Sequence, residues 1–407
     1  MADGSAAVNR AFLDYIVVAK TRESDVITSL ILAPVSGVVP DYRPGQHLVF
    51  RLDIDGARVL RHYSVSGNPS EPGTLRISVK REPAPRNRPD LPAGLGSGHM
   101  HDHVQVGDTL VAAGPIGQFI LDETSRRPVL LFSGGVGLTP MMSMLHRLVL
   151  SSDRRVYFVH ACENGHVHAF SEEVAALARQ RQGVTVHFAY REPTGHDRIG
   201  RNFHSAGLVG RDVLQALLPL DDYDVYLCGP AAFMQANWRL LRGLGVAAGR
   251  IHYEFFGPAT ILETGEGEPG NPVAGAATQE PGQLMASSAP TAGQTQITDL
   301  PLAPAESPPS AVQAVVATTA EGMQISFGPA GITVPWDDSC SSLLDLAEQA
   351  GLSPDFNCRA GLCNTCMSTL VSGQVDYFEP PLDPPPEGKV LLCCSRPASP
   401  LVIELAT

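Results

Sequence analysis

Short hydrophobic runs with alternating polar positions occupy the first third of the chain. Turn-forming residues such as those of RPGQ and QVGD separate these runs. A period of two, interrupted by frequent turns, is typical of antiparallel strands. We therefore predict an antiparallel β-barrel over residues 10–122. Its predicted strands are YIVVAK (15–20), VITSLILA (26–33), HLVFRLDI (47–54), LRISVKR (75–81) and TLVAAG (109–114).

The pattern changes after residue 122 to an alternation of buried strands and amphipathic helices. PVLLFSGG (128–135) is an apolar run that ends in glycines, and TPMMSMLHRLVL (139–150) has helical spacing. RRVYFVHA, SEEVAALARQ and VTVHFAY continue the alternation. Strands that alternate with helices indicate a parallel sheet covered by helices. We predict such an α/β domain over residues 123–258.

Residues 259–310 have a composition unlike either neighbour. They contain eight Pro, six Gly and no aromatic residue. Such a segment cannot bury enough apolar surface to fold, so we predict a disordered or flexible linker. A C-terminal domain over residues 311–407 follows it, and the chain is predicted to be multidomain.

The negative charge is concentrated in this C-terminal domain. The chain carries a net charge of −13, and residues 311–407 hold three Lys or Arg against eleven Asp or Glu. The sequence has no basic patch of the kind that binds nucleic acid. An acidic domain favours docking to a basic face of a partner protein, and a solvated acidic surface is the alternative. No apolar run approaches the ~20 residues of a membrane span, and the first residues do not resemble a secretory signal. We expect a cytoplasmic protein, monomeric and not bound to a membrane.

Three cysteines lie within nine residues of this domain, in CRAGLCNTC (358–366). Downstream of them the chain has only Cys393 and Cys394 as further thiols. The spacing C-x4-C-x2-C with a distant fourth cysteine is that of a plant-type [2Fe–2S] cluster. A zinc ribbon would use two C-x2-C pairs, and disulfides are unusual in a cytosolic chain. The sequence therefore predicts an iron–sulfur site.

Two upstream segments have the residues that hold phosphate groups. In RHYSVSGNP (61–69) a guanidinium can pair with phosphate, and a flat tyrosine ring stands two residues later. GLGSGHMHD (94–102) has small residues that open a helix, whose N-terminus favours a pyrophosphate. A metal site at His99, His101 and His103 is the alternative for that segment. FSGGVGLTPMMSML (132–145) follows a strand and opens a helix, as in dinucleotide-binding turns.

Together these motifs resemble the ferredoxin–NADP reductase superfamily, and residues 12–258 look most like the reductase part of flavohaemoglobins. The resemblance implies that Arg61 binds flavin phosphate, that Tyr63 packs on the isoalloxazine and that Ser64 reaches its N5 edge. It also implies catalytic roles for Ser64, Cys228 and Glu254, with His47 standing where flavohaemoglobins usually have Tyr. The flavin contacts implied are His47, Arg61, His62, Tyr63, Ser64, Val79, Lys80, Gly96, Ser97 and Phe256. The nicotinamide contacts implied are Gly134, Gly135, Val136, Gly137, Leu138, Thr139, Cys228, Gly229 and Pro230.

The cysteine loop resembles that of plant-type ferredoxins, which implies an α+β β-grasp fold for the C-terminal domain. By this resemblance the metal ligands are Cys358, Cys363, Cys366 and Cys393, while Cys394 is a packing thiol. The domain order is similar to that of phthalate dioxygenase reductase.

The resemblance implies an NAD(P)H-dependent oxidoreductase. Hydride from NADH would reach a flavin, and single electrons would pass through the [2Fe–2S] cluster to a redox partner, a Rieske-type oxygenase or a cytochrome P450. Alternatives are a reductase of a hybrid-cluster or other redox protein, a stand-alone NADH:acceptor oxidoreductase, and a non-catalytic redox sensor. FAD is favoured over FMN. NADH is favoured over NADPH because the sequence has no clear basic cluster to bind the 2′-phosphate of NADPH, although Arg191 and Arg198 could bind it.

Overall fold

A computed structural model describes residues 11–84, 93–256, 323–329, 331–356 and 358–405. These residues belong to one compact unit. The predicted linker at 259–310 lies outside the described residues, so its conformation stays a prediction. No helix among the described residues is long and apolar enough to cross a membrane.

The first domain is an antiparallel barrel, as the alternating pattern predicted. Its six strands pair in the order β4-β3-β6-β1-β2-β5, and a bridge between Val65 and Ile77 joins the two edges. Leu48, Phe50 and Leu52 alternate along one strand and point into the barrel core. The elements are β1 (Phe12–Arg22), β2 (Ile27–Pro34), β3 (His47–Ile54), β4 (Ala57–Ser64), β5 (Leu75–Lys80), α1 (Leu95–Asp102) and β6 (Thr109–Ile116).

The second domain is the predicted parallel sheet with helices. Its strands are ordered β10-β9-β8-β7-β11-β12. The central strands β7 and β11 are buried along their whole length because helices cover both faces. The elements are β7 (Val129–Gly134), α2 (Leu138–Ser151), β8 (Val156–Cys162), α3 (Ser171–Gln180), β9 (Val184–Tyr190), β10 (Ser205–Ala206), α4 (Arg211–Leu217), β11 (Asp224–Gly229), α5 (Ala231–Gly243) and β12 (Ile251–Phe255).

The C-terminal domain is a small mixed sheet that packs on one helix. Its five-stranded sheet has the order β14-β13-β19-β15-β17, and β16 pairs with β18 in a separate ribbon. The helix turns its apolar face, with Leu343, Leu344 and Ala347, into the core. The elements are β13 (Gln324–Gly328), β14 (Ile332–Pro335), α6 (Leu343–Gln349), β15 (Met367–Ser372), β16 (Val375–Tyr377), β17 (Lys389–Leu391), β18 (Ser395–Pro397) and β19 (Leu401–Glu404).

Polar and apolar contacts join the domains within this unit. Arg76 of β5 donates two hydrogen bonds of 2.8 Å to Glu173 of α3, and His146 of α2 lies 2.7 Å from the same carboxylate. This ion cluster ties the barrel to the parallel-sheet domain. The cysteine loop of the C-terminal domain packs against the outer face of β3, β4 and β6.

Candidate flavin, nicotinamide and iron–sulfur sites

Four thiols of the C-terminal domain meet in one loop region. Cys358, Cys363 and Cys366 lie between α6 and β15, and Cys393 follows β17. The thiols of Cys363 and Cys393 hydrogen bond to Cys358 and lower its pKa. The thiol of Cys393 likewise lowers the pKa of Cys366. Four thiols brought together in one region are the soft donor set that an iron–sulfur cluster needs.

The backbone of the loop turns its N–H groups toward these sulfurs. The amide of Leu362 donates to the Cys358 Sγ at 3.1 Å, and the amide of Gly361 donates to the Cys393 Sγ at 3.3 Å. The geometry requires left-handed backbone at Arg359, Gly361 and Asn364, with φ of 51°, 66° and 56°. A cradle of amides around thiolates favours a negatively charged cluster.

Cys393 and Cys394 have different surroundings although they are adjacent. Cys393 contacts Cys358 and Cys366 and receives the amide of Gly361. The Cys394 side chain is fully buried, and a Cβ built on Gly361 would lie 2.8 Å from its Sγ. Cys394 therefore packs beneath the loop, and its neighbour has the contacts of the fourth ligand. Among the described residues, no three or more His, Cys, Asp or Glu side chains are arranged so that they could hold one metal ion.

The predicted phosphate-binding residues lie side by side in the barrel. A Cβ built on Gly96 would lie 2.7 Å from the Arg61 side chain, so the two residues are in close contact. Ser97 is held by hydrogen bonds to the Glu82 amide and the Gly94 carbonyl. Arg61 of β4 is thus placed at the start of α1, where a helix N-terminus and a guanidinium can share one anionic group.

Arg61 and Tyr63 face away from His62 and Ser64, since side chains alternate along a strand. Tyr63 packs against Phe50 with ring centroids 5.6 Å apart, and burial raises its pKa. Val79 of β5 is buried, while the Lys80 Nζ lies 3.0 Å from Glu82.

A second group of polar side chains converges where the barrel meets the parallel sheet. The His47 Nδ1 lies 3.6 Å from the Glu254 Oε1. Cys228 of β11 is the register partner of Glu254 on β12, and His47 is that of Ser64. Burial, and then the Glu254 carboxylate, raise the pKa of Cys228. Phe256, 41% exposed, follows β12 at the surface.

Three buried polar atoms of this group have no hydrogen-bond partner. They are the Ser64 Oγ, the His47 Nε2 and the Glu254 Oε2. An unsatisfied buried polar atom costs about 1–3 kcal/mol, so native structures usually supply a partner. A ligand with its own donors and acceptors, such as a flavin ring beside a nicotinamide, fits these atoms.

The glycines after β7 bring two backbone turns together. A Cβ on Gly137 would lie 2.2 Å from the Cys228 carbonyl oxygen, and Gly135 has a φ of 54°. Val136, Leu138 and Thr139 continue this turn into α2, and the Thr139 Oγ1 donates to the Val136 carbonyl at 3.1 Å. The tight turn leaves the N-terminus of α2 accessible to the pyrophosphate of a dinucleotide.

Phe233 of α5 was not predicted as a site residue. Its ring lies so near the backbone that a Cβ on Gly134 or Gly229 would come within 2.8 Å of it, and Pro230 starts its helix. Helical spacing alone makes Phe233 an ordinary core position, and nothing in the sequence signals that it covers both turns. His62 was predicted as a flavin contact, and the structure stacks its ring on His47, with centroids 4.8 Å apart.

Burial and the neighbouring His47 lower the pKa of His62 to about 3, so this imidazole is neutral at physiological pH. In the predicted histidine segment, His101 is engaged by hydrogen bonds to the Val79 carbonyl at 2.8 Å and to the Thr28 hydroxyl at 3.3 Å.

Comparison with protein families identifies each domain. Residues 17–120 match the oxidoreductase FAD-binding domain, residues 131–238 the oxidoreductase NAD-binding domain, and residues 327–398 the 2Fe-2S iron-sulfur cluster binding domain. The order and the ranges agree with the three domains of the fold. The exact boundaries predicted from the sequence stay predictions.

Curated and solved relatives cover these parts differently. The flavohemoprotein of Bacillus anthracis is 43% identical over 256 residues, and the chain spans 62% of its length. The flavohem-like FAD/NAD binding domain of nitric oxide dioxygenase from Vibrio cholerae is 37% identical, with a TM-score of 0.53, covering 60% of this chain and 99% of that one. Phthalate dioxygenase reductase, 21% identical with a TM-score of 0.51, covers 97% of this chain and 98% of its own, which shows the shared fold and domain order.

The family matches and the arrangement of the sites agree. The chain belongs to the ferredoxin–NADP reductase family, with oxidoreductase FAD-binding and NAD-binding domains followed by a C-terminal 2Fe-2S iron-sulfur cluster binding domain.

Proposed function

We propose that the chain is the reductase component of an oxygenase system, passing electrons from NADH through a flavin and a [2Fe–2S] cluster to a separate protein. One observation carries the proposal: the cysteine loop packs on the strand that holds the flavin-binding motif. Electron transfer needs such proximity, and a ferredoxin domain tethered for an unrelated purpose would not need it. When bound, the flavin accepts two electrons as hydride and releases them singly to the cluster.

The residues of the chain position these groups. Arg61 and the start of α1, with Gly96 and Ser97, would hold the flavin phosphates. The turn from Gly134 to Thr139, together with Gly229 and Pro230, would hold the dinucleotide. Ser64, Cys228 and Glu254 would line the place where nicotinamide and flavin meet. Cys228 stays a neutral thiol there, because burial raises its pKa.

We propose FAD as the flavin, with FMN as the alternative. Support comes from the FAD-binding family match and from the 37% identical FAD/NAD binding domain. Flavin released by heat can be compared with both standards. FMN in the released fraction would contradict this part of the proposal.

We propose NADH as the donor because the candidate arginine for a 2′-phosphate is already paired. The Arg191 Nη2 lies 2.8 Å from the Glu163 carboxylate and 3.2 Å from that of Glu192. Arg198 donates to the backbone carbonyls of Gly195 and Asp197. The two carboxylates beside Arg191 would also repel a phosphate. NADPH should therefore give a much lower kcat/KM than NADH, and the double change Glu163→Ala with Glu192→Ala should narrow the gap.

The oxygenase partner is supported by the domain order shared with phthalate dioxygenase reductase, and the acidic C-terminal domain suits a basic partner face. The test pairs the protein with the oxygenase encoded nearest to its gene and measures NADH-dependent substrate oxidation. Oxidation that requires both proteins supports the proposal. Rapid NADH oxidation with hybrid-cluster protein instead, or with no protein acceptor at all, would favour the other reductase roles.

A further inference from the structure

The ferredoxin domain contacts the flavin barrel through a small apolar cluster. Val49 and Ile116 of the barrel and Leu362 of the cysteine loop are all buried in it, at 0%, 2% and 5% exposure. Leu60, Cys358, Ala360 and Leu382 pack around them. At the edge, the Arg58 Nη1 lies 3.6 Å from the Asp383 Oδ1, but Arg58 is half exposed and this pair contributes little. The contact therefore depends on apolar packing at the cysteine loop.

His62 is a polar residue on the strand face that carries this contact. It is the register partner of Val49 and lies two residues from Leu60 on the same face of β4. Val49 and Leu60 pack in one cluster with Cys358 and Leu362 of the cysteine loop. The His62 Nε2 is inaccessible to solvent and has no hydrogen-bond partner. The ring thus lies on the face of β4 that packs against the first predicted cluster ligand.

The other side of the same ring faces the flavin site. His62 stacks on His47 with an interplanar angle of 28°. His47 in turn pairs with Glu254 and lies opposite Ser64 on the neighbouring strand. A continuous path of packed groups therefore leads from the orphaned polar atoms of the flavin site, through two stacked imidazoles, to Cys358.

We propose that His62 is the positioning residue for electron transfer between the two cofactors: its ring holds the Cys358–Leu362 part of the cysteine loop against the flavin-binding strand. This inference rests on the proposed function. NADH would give NAD⁺, one proton and two electrons, and a bound cluster held by the predicted thiol ligands would take these electrons one at a time and pass them to an acceptor. His62 exchanges no electron or proton in this scheme and acts by fixing the distance and orientation of the loop.

The test compares His62→Ala, the conservative His62→Gln and Leu362→Ala, with His196→Ala as a matched control at an exposed histidine of the nicotinamide domain. Each full-length holoprotein is mixed anaerobically with NADH, and flavin and cluster reduction are followed in the same trace. Hydrogen exchange of the segments around residues 47–49 and 358–362 is measured separately. Flavin and iron contents are determined for every variant.

We expect His62→Ala and Leu362→Ala to slow cluster reduction, relative to flavin reduction, by roughly tenfold or more, since small misplacements have effects of that size. Both should also speed hydrogen exchange in the two segments. His62→Gln should recover part of the rate, and His196→Ala should match the wild type. A protein that carries both His62→Ala and Leu362→Ala should reduce its cluster little more slowly than either single variant, because both changes loosen the same contact.

Failure of this inference and failure of the proposed function give different results. Suppose that the wild type reduces its cluster with NADH, and that His62→Ala and Leu362→Ala show the same ratio of cluster to flavin reduction rates as the wild type. Then His62 does not position the loop and the inference is wrong. If the wild-type cluster is not reduced by NADH at all, the proposed function itself fails. Leu362→Ala changes the contact from the ferredoxin side and keeps the test independent of any effect of the His62 substitutions on flavin retention.

Discussion

At Cys393 and Cys394 one position along the chain separates the predicted fourth cluster ligand from a packing group. The backbone amide of Gly361 donates to the Sγ of the first thiol, and the second lies under the same glycine. Glycine is required there because a Cβ would collide with Cys394. The loop therefore specifies both thiols at once, one for chemistry and one for packing.

This difference predicts opposite effects for two neighbouring substitutions. Cys393→Ser should abolish or strongly alter the visible absorption of the cluster, because it removes a thiolate ligand. Cys394→Ala should keep that absorption. Ferricyanide reduction by NADH should survive in the cluster-less variant, since this acceptor can take electrons from the flavin. Loss of the spectrum in Cys394→Ala but not in Cys393→Ser would reverse the assignment.

Arg61 gives a second prediction at the same scale. A charge-assisted hydrogen bond is worth roughly 1.5–3 kcal/mol, so Arg61→Ala should weaken flavin retention roughly tenfold to more than a hundredfold. Arg61→Lys keeps the charge and loses the planar fork, and should have an intermediate effect. The flavin dissociation constants of the three proteins measure this. Full flavin content in purified Arg61→Ala would argue against phosphate binding by this residue.

Single residues also show what the sequence could and could not predict. Cys358, Cys363 and Cys366 stand in one short motif, so their proximity was predictable. The contact between His62 and the cysteine loop was not, because about 300 residues separate them and no local pattern encodes a contact between domains. His62 lies inside a flavin motif, and only the alternation of β4 shows that it shares a face with Leu60 and not with Arg61 and Tyr63.

At the scale of elements, the alternating and helical patterns predicted the barrel and the parallel sheet. Strand β4 was not predicted as a strand, since its residues, Ala57–Ser64, carry a mixed polar pattern with both faces partly covered. One face, with Arg61, turns toward Gly96 at the start of α1, and the other, with Leu60, turns toward the ferredoxin domain. A strand covered on both sides by partners outside its own sheet loses the simple period of two.

The ion cluster between β5 and α3 predicts a pH-dependent stability. Burial raises the pKa of Glu173, but hydrogen bonds from His146 and Arg76 outweigh it and bring the pKa to about 2. A carboxylate whose pKa is lower in the folded state stabilises the fold at pH values above its unfolded pKa, 4.5. This stabilisation is lost as the pH falls toward 2. It amounts to about 3 kcal/mol at pH 7 as an upper value.

Glu173→Gln should therefore lower the free energy of unfolding at pH 7, and the gap to the wild type should shrink by more than half at pH 3. Denaturant unfolding at the two pH values measures the gap. Glu172→Gln, a neighbour in the first turn of the same helix, is the matched control. An equal gap at both pH values would show that the Glu173 carboxylate does not supply this stability.

At the scale of the whole molecule, the acidic charge lies on the domain that we propose to meet the partner. Electron transfer to a basic acceptor such as cytochrome c should therefore slow as salt is raised from low ionic strength to ~0.5 M, because screening weakens the attraction. Ferricyanide, a small anion, should not show the same slowing. Matching salt profiles for the two acceptors would show that the acidic surface does not steer docking.

If the proposed function is right, NADH reduces the cluster through the flavin of the same chain. Anaerobic mixing with NADH, followed by rapid freezing and electron paramagnetic resonance, measures this reduction. We predict the spectrum of a reduced [2Fe–2S] cluster in the holoprotein, and its absence in protein stripped of flavin and in Cys393→Ser. A cluster that dithionite reduces but NADH does not, in protein with its full flavin content, would contradict the account.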